Sequence, residues 1–184
     1  MNEAPRMAFA HMGIFVIDIA PMVDFYTRVL GFCITDRAPI RDVNVVFLSR
    51  DPEEHHQIVL VPGRDPAHKS TVNQISFRVV SFAELRRLYT KLVDEAVPAL
   101  NPTNHGGSWS VYFADPEGNR IELFVQTPWY VPPVSIPLDL GLGDEEIYLL
   151  TERMVEATPG HMPRAEWHEL TRRRMLAEGT LEQR

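Results

Sequence analysis

At 184 residues, with 45% hydrophobic and 23% charged side chains, the chain has the composition of an ordinary globular protein that can bury one sizeable core. A net charge of -7 disfavours nucleic acid and anionic membranes as partners, and no run of about 18 apolar residues is present to span a bilayer. The single cysteine, Cys33, excludes an internal disulfide, and the start "MNEAPRMAFA" lacks the apolar run of a secretory leader, so a cytoplasmic location is expected.

The first predicted element is the alternating stretch "HMGIFV" (11–16). Met12, Ile14 and Val16 point to one side of a strand, His11, Gly13 and Phe15 to the other. An amphipathic helix is expected over 21–30, and the apolar strand after it makes Cys33 a core residue. "VVFLSRDPEEHHQIVLV" (45–61) reads as two strands joined at the Asp51-Pro52-Glu53 turn. At residue 74 the pattern begins again. Residues 11–30 overlay 74–93 without a gap at an offset of 63 (74 − 11), so Val16 meets Val79, Met22 meets Leu85, and Tyr26-Thr27 meets Tyr89-Thr90. The second helix is expected over 82–95. In "SWSVYF" (108–113) Trp109, Val111 and Phe113 face the core and Ser108, Ser110 and Tyr112 face away; Asp115-Pro116-Glu117 then repeats the earlier turn. In the strand that follows, Ile121, Leu123 and Val125 share one face and Arg120, Glu122 and Phe124 the other. Beyond Thr127 a proline-rich strap leads to two helices, "DEEIYLLTERMVEAT" with Ile147, Leu150 and Met154 at helical spacing, and "PRAEWHELTRRRMLAEG", whose arginine run is expected to be a solvated face.

The faces turned from the core pose the chemical question. They mix Phe15, Val59, Val61 and Phe124 with polar side chains, which suits a lined cavity better than open water. Glu122 lies among them, and a carboxylate in apolar company is expensive to bury without a partner. The repeat makes His11 and Gln74 equivalent, with Val59 the counterpart of Glu122. An imidazole, an amide oxygen and a carboxylate can then converge on one divalent cation. The alternatives are that Glu122 pairs with Arg78 or Arg120, and that His11 is a satisfied core histidine.

With "HMGIFVIDI", "FYTRVLGF" and "YFADPEGNRIELF" at these places, the doubled unit resembles the vicinal oxygen chelate superfamily, and within it the type I extradiol ring-cleaving dioxygenases. The resemblance covers roughly residues 8 to 127. It implies an α+β fold of two βαβββ modules forming one domain over 1–127, its curved mixed sheet wrapped around a cavity, with a strap and helical tail over 128–184. It implies metal ligands at His11, Gln74 and Glu122, an acid-base histidine at His56, a second pocket histidine at His105 and a substrate-contacting tyrosine at Tyr112. Read alone, His56 and His105 could equally be loop residues. Fe(II) is the implied metal, with Mn, Zn, Ni or Co as alternatives. The implied partners are a small aromatic diol, O2 and a second copy of the chain in a homodimer or larger homo-oligomer. Gln74 departs from the family pattern, which has histidine there. A glutamine carbonyl is a weaker donor than imidazole and favours metals that tolerate oxygen ligands. Two other readings therefore stand beside ring cleavage: a non-oxidative lyase or isomerase, and a metal-free protein binding an aromatic ligand.

Overall fold

The computed structural model describes residues 7–40, 42–68 and 70–180. The first six residues of the chain's start, on which the expectation of no leader partly rests, lie outside them. The first module runs β1 (Met12–Val16), α1 (Ile19–Asp24), β2 (Cys33–Ile40), β3 (Val43–Ser49) and β4 (Ile58–Pro62). The second runs β5 (Ile75–Arg78), α2 (Phe82–Asp94), β6 (Asn101–Asn104), β7 (Ser108–Ala114) and β8 (Arg120–Gln126). The fold is α+β, two βαβββ modules followed by a helical tail, and its mixed sheets close no barrel.

The two modules are built alike. The strand orders are β1-β4-β3-β2 and β5-β8-β7-β6, and in each the first strand pairs in parallel with the last. Gly13 lies opposite Val59 and Ser76 opposite Glu122, so the 63-residue offset (76 − 13, 122 − 59) holds in the ladder. The first helix is capped by Asp18, whose carboxylate accepts from the Ala20 amide at 3.0 Å, and α2 by Ser81, which accepts from the Glu84 amide at 3.2 Å. The helix expected over 21–30 is thus present but divided: α1 gives way to a π-helical turn at Phe25–Val29, where the Thr27 hydroxyl donates to the Val23 carbonyl at 2.7 Å. Met22 and Leu85, equivalent in the repeat, are both fully buried.

Both modules turn their apolar faces onto one core. Ile14, Val16, Leu48 and Leu60 of the first sheet join Ile75, Val111, Ile121 and Leu123 of the second. Phe25 meets Phe113 and Phe32 meets Phe77 at ring-centroid distances of 6.3 and 5.5 Å. The opposite faces therefore look outward, and within one chain Phe15 remains 65% exposed. Cys33 corrects the sequence expectation: it is exposed, because β2 is the edge strand of its sheet.

The Asp-Pro-Glu-Gly-Asn turn fastens the modules together. Asp115 is 2% exposed; its Oδ1 accepts from the amides of Glu117 and Asn119 at 3.0 and 2.9 Å, and its Oδ2 accepts from Asn119 Nδ2 at 2.8 Å and Tyr26 OH at 3.4 Å. Glu117 in turn accepts from the amides of Ile17 and Asp18, at the start of α1, at 2.6 and 2.9 Å. Asp115→Ala is expected to cost about 2–4 kcal/mol, because it strands several buried donors at once. Urea denaturation should show the midpoint falling with the slope unchanged.

The strap adds β10 (Ile136–Pro137) beside β6, and a second small sheet pairs β9 (Trp129–Tyr130) with β11 (Met162–Pro163). Two helices complete the tail, α3 (Asp144–Glu156) and α4 (Arg164–Ala177). The buried stripe of α3 is Ile147, Thr151 and Val155, not the Ile147, Leu150 and Met154 read from apolarity; Leu150 is 47% exposed. Thr151 earns its place by bonding: Trp109 Nε1 and Asn104 Nδ2 both donate to its hydroxyl, at 2.9 and 2.8 Å, while it donates to the Ile147 carbonyl. Arg172, Arg173 and Arg174 are exposed, as expected. Among the described residues no helix is long and apolar enough to cross a membrane.

Candidate functional site

Glu122 lies mid-strand on β8, between β5 and β7, on the face turned from the core. Its neighbours are oxygens and an amide, not arginines. Ser76 Oγ donates to Oε2 at 2.6 Å, Ser110 Oγ donates to Oε1 at 2.8 Å, and Gln74 Nε2 donates to Oε2 at 3.2 Å. At 8% exposure the carboxylate is buried, and among the described residues no Lys, Arg or His forms an ion pair with it. Arg120 instead lies over the Tyr112 ring at 4.2 Å. The orientation of Gln74 follows from this network: a carboxylate only accepts, so the amide turns its NH2 group towards Glu122. That NH2 group also donates to Ser76 Oγ at 3.0 Å, and the Gln74 carbonyl oxygen has no hydrogen bond among the described residues. A buried carboxylate without a cation beside an uncommitted carbonyl oxygen is a donor set that fits a divalent ion.

Tyr112 stands directly across from Glu122 in the β7–β8 ladder. Burial first, then the neighbouring Glu122, push its phenol up to about 12, so it remains a protonated donor at neutral pH. Its hydroxyl is 3.0 Å from His105 Nε2. His105 Nδ1 is 2.6 Å from the Val134 carbonyl, which can only accept; Nδ1 therefore carries a proton, and in that tautomer Nε2 accepts from Tyr112.

His11 and His56 belong to the first sheet and meet each other, with ring centroids 4.1 Å apart. His56 also packs edge-on against Phe47 at 5.1 Å and hydrogen-bonds His55, with Nδ1 atoms 2.8 Å apart. Burial, followed by the charges His11 and His55 would carry, lowers the His56 pKa and favours its neutral ring.

The six side chains thus form three pairs: Gln74 with Glu122, His105 with Tyr112, and His11 with His56. Among the described residues no hydrogen bond or ion pair joins His11 or His56 to either of the other pairs. The separation shows also in the cleft that Gln74 and Ser76 line, whose wall includes neither His11 nor His56. Among the described residues no three His, Cys, Asp or Glu side chains of the single chain group to hold a metal.

The sequence reading missed two sets of residues. Ser76 and Ser110 were on the right face by parity, but nothing in sequence said that both hydroxyls address Glu122. The tail supplies the second set: a cavity of about 600 Å³ lies between the second sheet and the strap, lined by His105, Phe124, Tyr130, Arg164 and Trp167 among others.

Comparison with known proteins agrees with this architecture. The model of the Glyoxalase/Bleomycin resistance protein/Dioxygenase superfamily matches residues 8–123. The chain is 30% identical over 130 residues to biphenyl-2,3-diol 1,2-dioxygenase 3 of Rhodococcus globerulus, covering 67% of the chain and 64% of that relative. It therefore spans a little under two thirds of that relative's length. Among solved structures, a glyoxylase/bleomycin resistance protein/dioxygenase domain from Frankia sp. EAN1pec superposes with a TM-score of 0.57 at 20% identity, over 67% of this chain and 94% of that one. The E126Q mutant of a fosfomycin resistance protein from Listeria monocytogenes, complexed with Mn(II) and 1S,2S-dihydroxypropylphosphonic acid, superposes with a TM-score of 0.55 at 17% identity, over 67% and 95%.

Proposed function

The chain belongs to the glyoxalase/bleomycin resistance protein/dioxygenase superfamily, and from that footing we propose that it is a metal-dependent extradiol dioxygenase acting on a catechol-type aromatic diol. The observation that carries the reading is Glu122: buried, held by Ser76, Ser110 and Gln74, and offered no cation by the described residues. His11, Gln74 and Glu122 would hold the ion. Because His11 lies on the outward face of one sheet and Glu122 on that of the other, we propose that His11 comes from a second copy, in a homodimer. Covering Phe15, 65% exposed in one chain, fits the same arrangement.

The bound ion, taken to be Fe(II) with Mn, Zn, Ni or Co as alternatives, supplies Lewis acidity towards the diol oxygens and, as iron, the capacity to engage O2. The chain's own residues do the rest. His56, packed against His11 and so contributed by the same copy, is favoured as a neutral ring and accepts a proton from a diol hydroxyl. Tyr112, protonated at working pH, donates a hydrogen bond where negative charge develops on oxygen, and His105 orients it through Nε2. Phe15 and Phe124 flank the ring and exclude water from it.

Gln74 favours one other reading. An oxygen donor in place of imidazole suits a metal acting purely as Lewis acid, as in a lyase or isomerase. Metal analysis of protein purified without oxygen, followed by oxygen-uptake assays on a panel of catechols, separates the possibilities. Bound Fe(II) with uptake is the expected result. Another metal without uptake supports the lyase or isomerase, and absence of metal a ligand-binding protein.

A further inference from the structure

The cavity that Phe124 lines, two residues along β8 from Glu122, takes much of its wall from outside the doubled unit. Tyr130 of β9 and Trp167 of α4 are stacked, with centroids 5.1 Å apart and planes 10° from parallel, facing the Phe124 side of β8. Arg164, the first residue of α4, reaches into the same space. Its Nε donates to the Thr127 carbonyl at 2.7 Å and one terminal nitrogen donates to the Gly107 carbonyl. A guanidinium has five N–H donors, so three (5 − 2) are without a partner among the described residues.

A second arginine stands nearby. Arg78 pairs with Phe124 in the β5–β8 ladder, on the same outward face, lines the cleft that Gln74 and Ser76 line, and makes no hydrogen bond or ion pair among the described residues. Both burial and the charge of Arg78 lower the pKa of Arg164, which agrees with two guanidinium groups sharing one neighbourhood. The carbonyl bonds of Arg164 fasten the tail, but that role gives no reason for a second cation beside it. Nor does α4, since a cation in the first turn opposes the helix dipole. The chain carries 25 Asp and Glu residues, yet no described one is paired with either arginine.

We propose that Arg78 and Arg164 together bind a carboxylate on the substrate, with Phe124, Tyr130 and Trp167 as the apolar wall, so that the diol acted on is an aromatic acid. The proposal rests on reading the Glu122 face as the substrate site. Guanidinium groups match carboxylate geometry through paired N–H donors, and the aromatic wall suits a ring attached to it.

The test uses protein kept free of metal with a chelator, so that a carboxylate probe cannot be held by the ion instead. Phenylacetate has the ring and the carboxylate but no diol; 2-phenylethanol is its neutral counterpart. Titrated into the full chain by calorimetry, phenylacetate should bind at least about tenfold more tightly, with the difference shrinking as salt screens the charges. Arg78→Gln, which breaks no hydrogen bond in the fold, should lower phenylacetate affinity about tenfold and leave 2-phenylethanol unchanged. Arg164→Lys retains the charge, tests the paired geometry, and should also weaken phenylacetate selectively. Equal affinity for the two ligands, or an Arg78→Gln protein that keeps the preference, overturns the proposal. Because the titration is run without metal, a failure of every catechol to support oxygen uptake would reject ring cleavage and leave the carboxylate site standing.

Discussion

Glu122→Gln is expected to lower divalent-metal affinity roughly 100-fold or more, since even the outer partners of a metal ligand are worth 10–100-fold. The same change should leave the metal-free fold as stable as the wild type, or more so. Among the described residues the carboxylate is buried without a cation, and its hydrogen bonds there come from Ser76, Ser110 and Gln74. A glutamine keeps the shape, and the serine hydroxyls can rotate to meet its NH2 group. Removing an unpaired buried charge relieves desolvation. A residue that weakens the empty protein and strengthens the loaded one is held there by its ligand, not by the fold. Metal content after exchange against a chelator, together with thermal unfolding in the presence of that chelator, reads both effects. Unchanged metal affinity would remove Glu122 from the site. A large fall in stability would make it a structural carboxylate.

Much of the fold was legible because period-two alternation and the 63-residue offset constrain the same residues independently. Ile14, Phe77, Leu123 and Val111 could be assigned to the core from parity alone, and Ser76 opposite Glu122 follows from Gly13 opposite Val59 once the repeat is aligned. What parity does not encode is which strand lies at an edge. Cys33 shows the consequence: its local pattern is apolar, yet β2 has a neighbour on one side only and the thiol is exposed. Thr151 fails in the opposite direction. Its hydroxyl is the polar hub for Trp109, Asn104 and Ile147, so a position outside the apolar stripe of Ile147, Leu150 and Met154 is fully buried.

The site divides along the same line. The face carrying Gln74, Tyr112 and Glu122 was readable, since all three positions obey strand alternation. The neighbourhood of Arg78 and Arg164 was not, because it depends on the course of a proline-rich strap that has no repeat to align with. Nor could the sequence say which copy supplies His11. The offset makes His11 and Gln74 equivalent whether the modules of one chain face each other or face those of a partner. The sharing of one core by both apolar faces is what turns the His11 face and the Glu122 face outward.

That sharing gives the most direct test. His11→Ala and Glu122→Gln, prepared separately, should each lose tight metal binding. Mixed in equal amounts and allowed to exchange subunits, they should recover about a quarter of the wild-type metal sites: half the dimers are hybrids, and each hybrid has one site carrying both changes and one carrying neither. Metal content per chain after desalting is the measurement. Recovery near a quarter is the result expected of a site assembled from two copies. No recovery, in a mixture shown to contain hybrids, would contradict it, since a site built within one chain keeps one lesion in every copy.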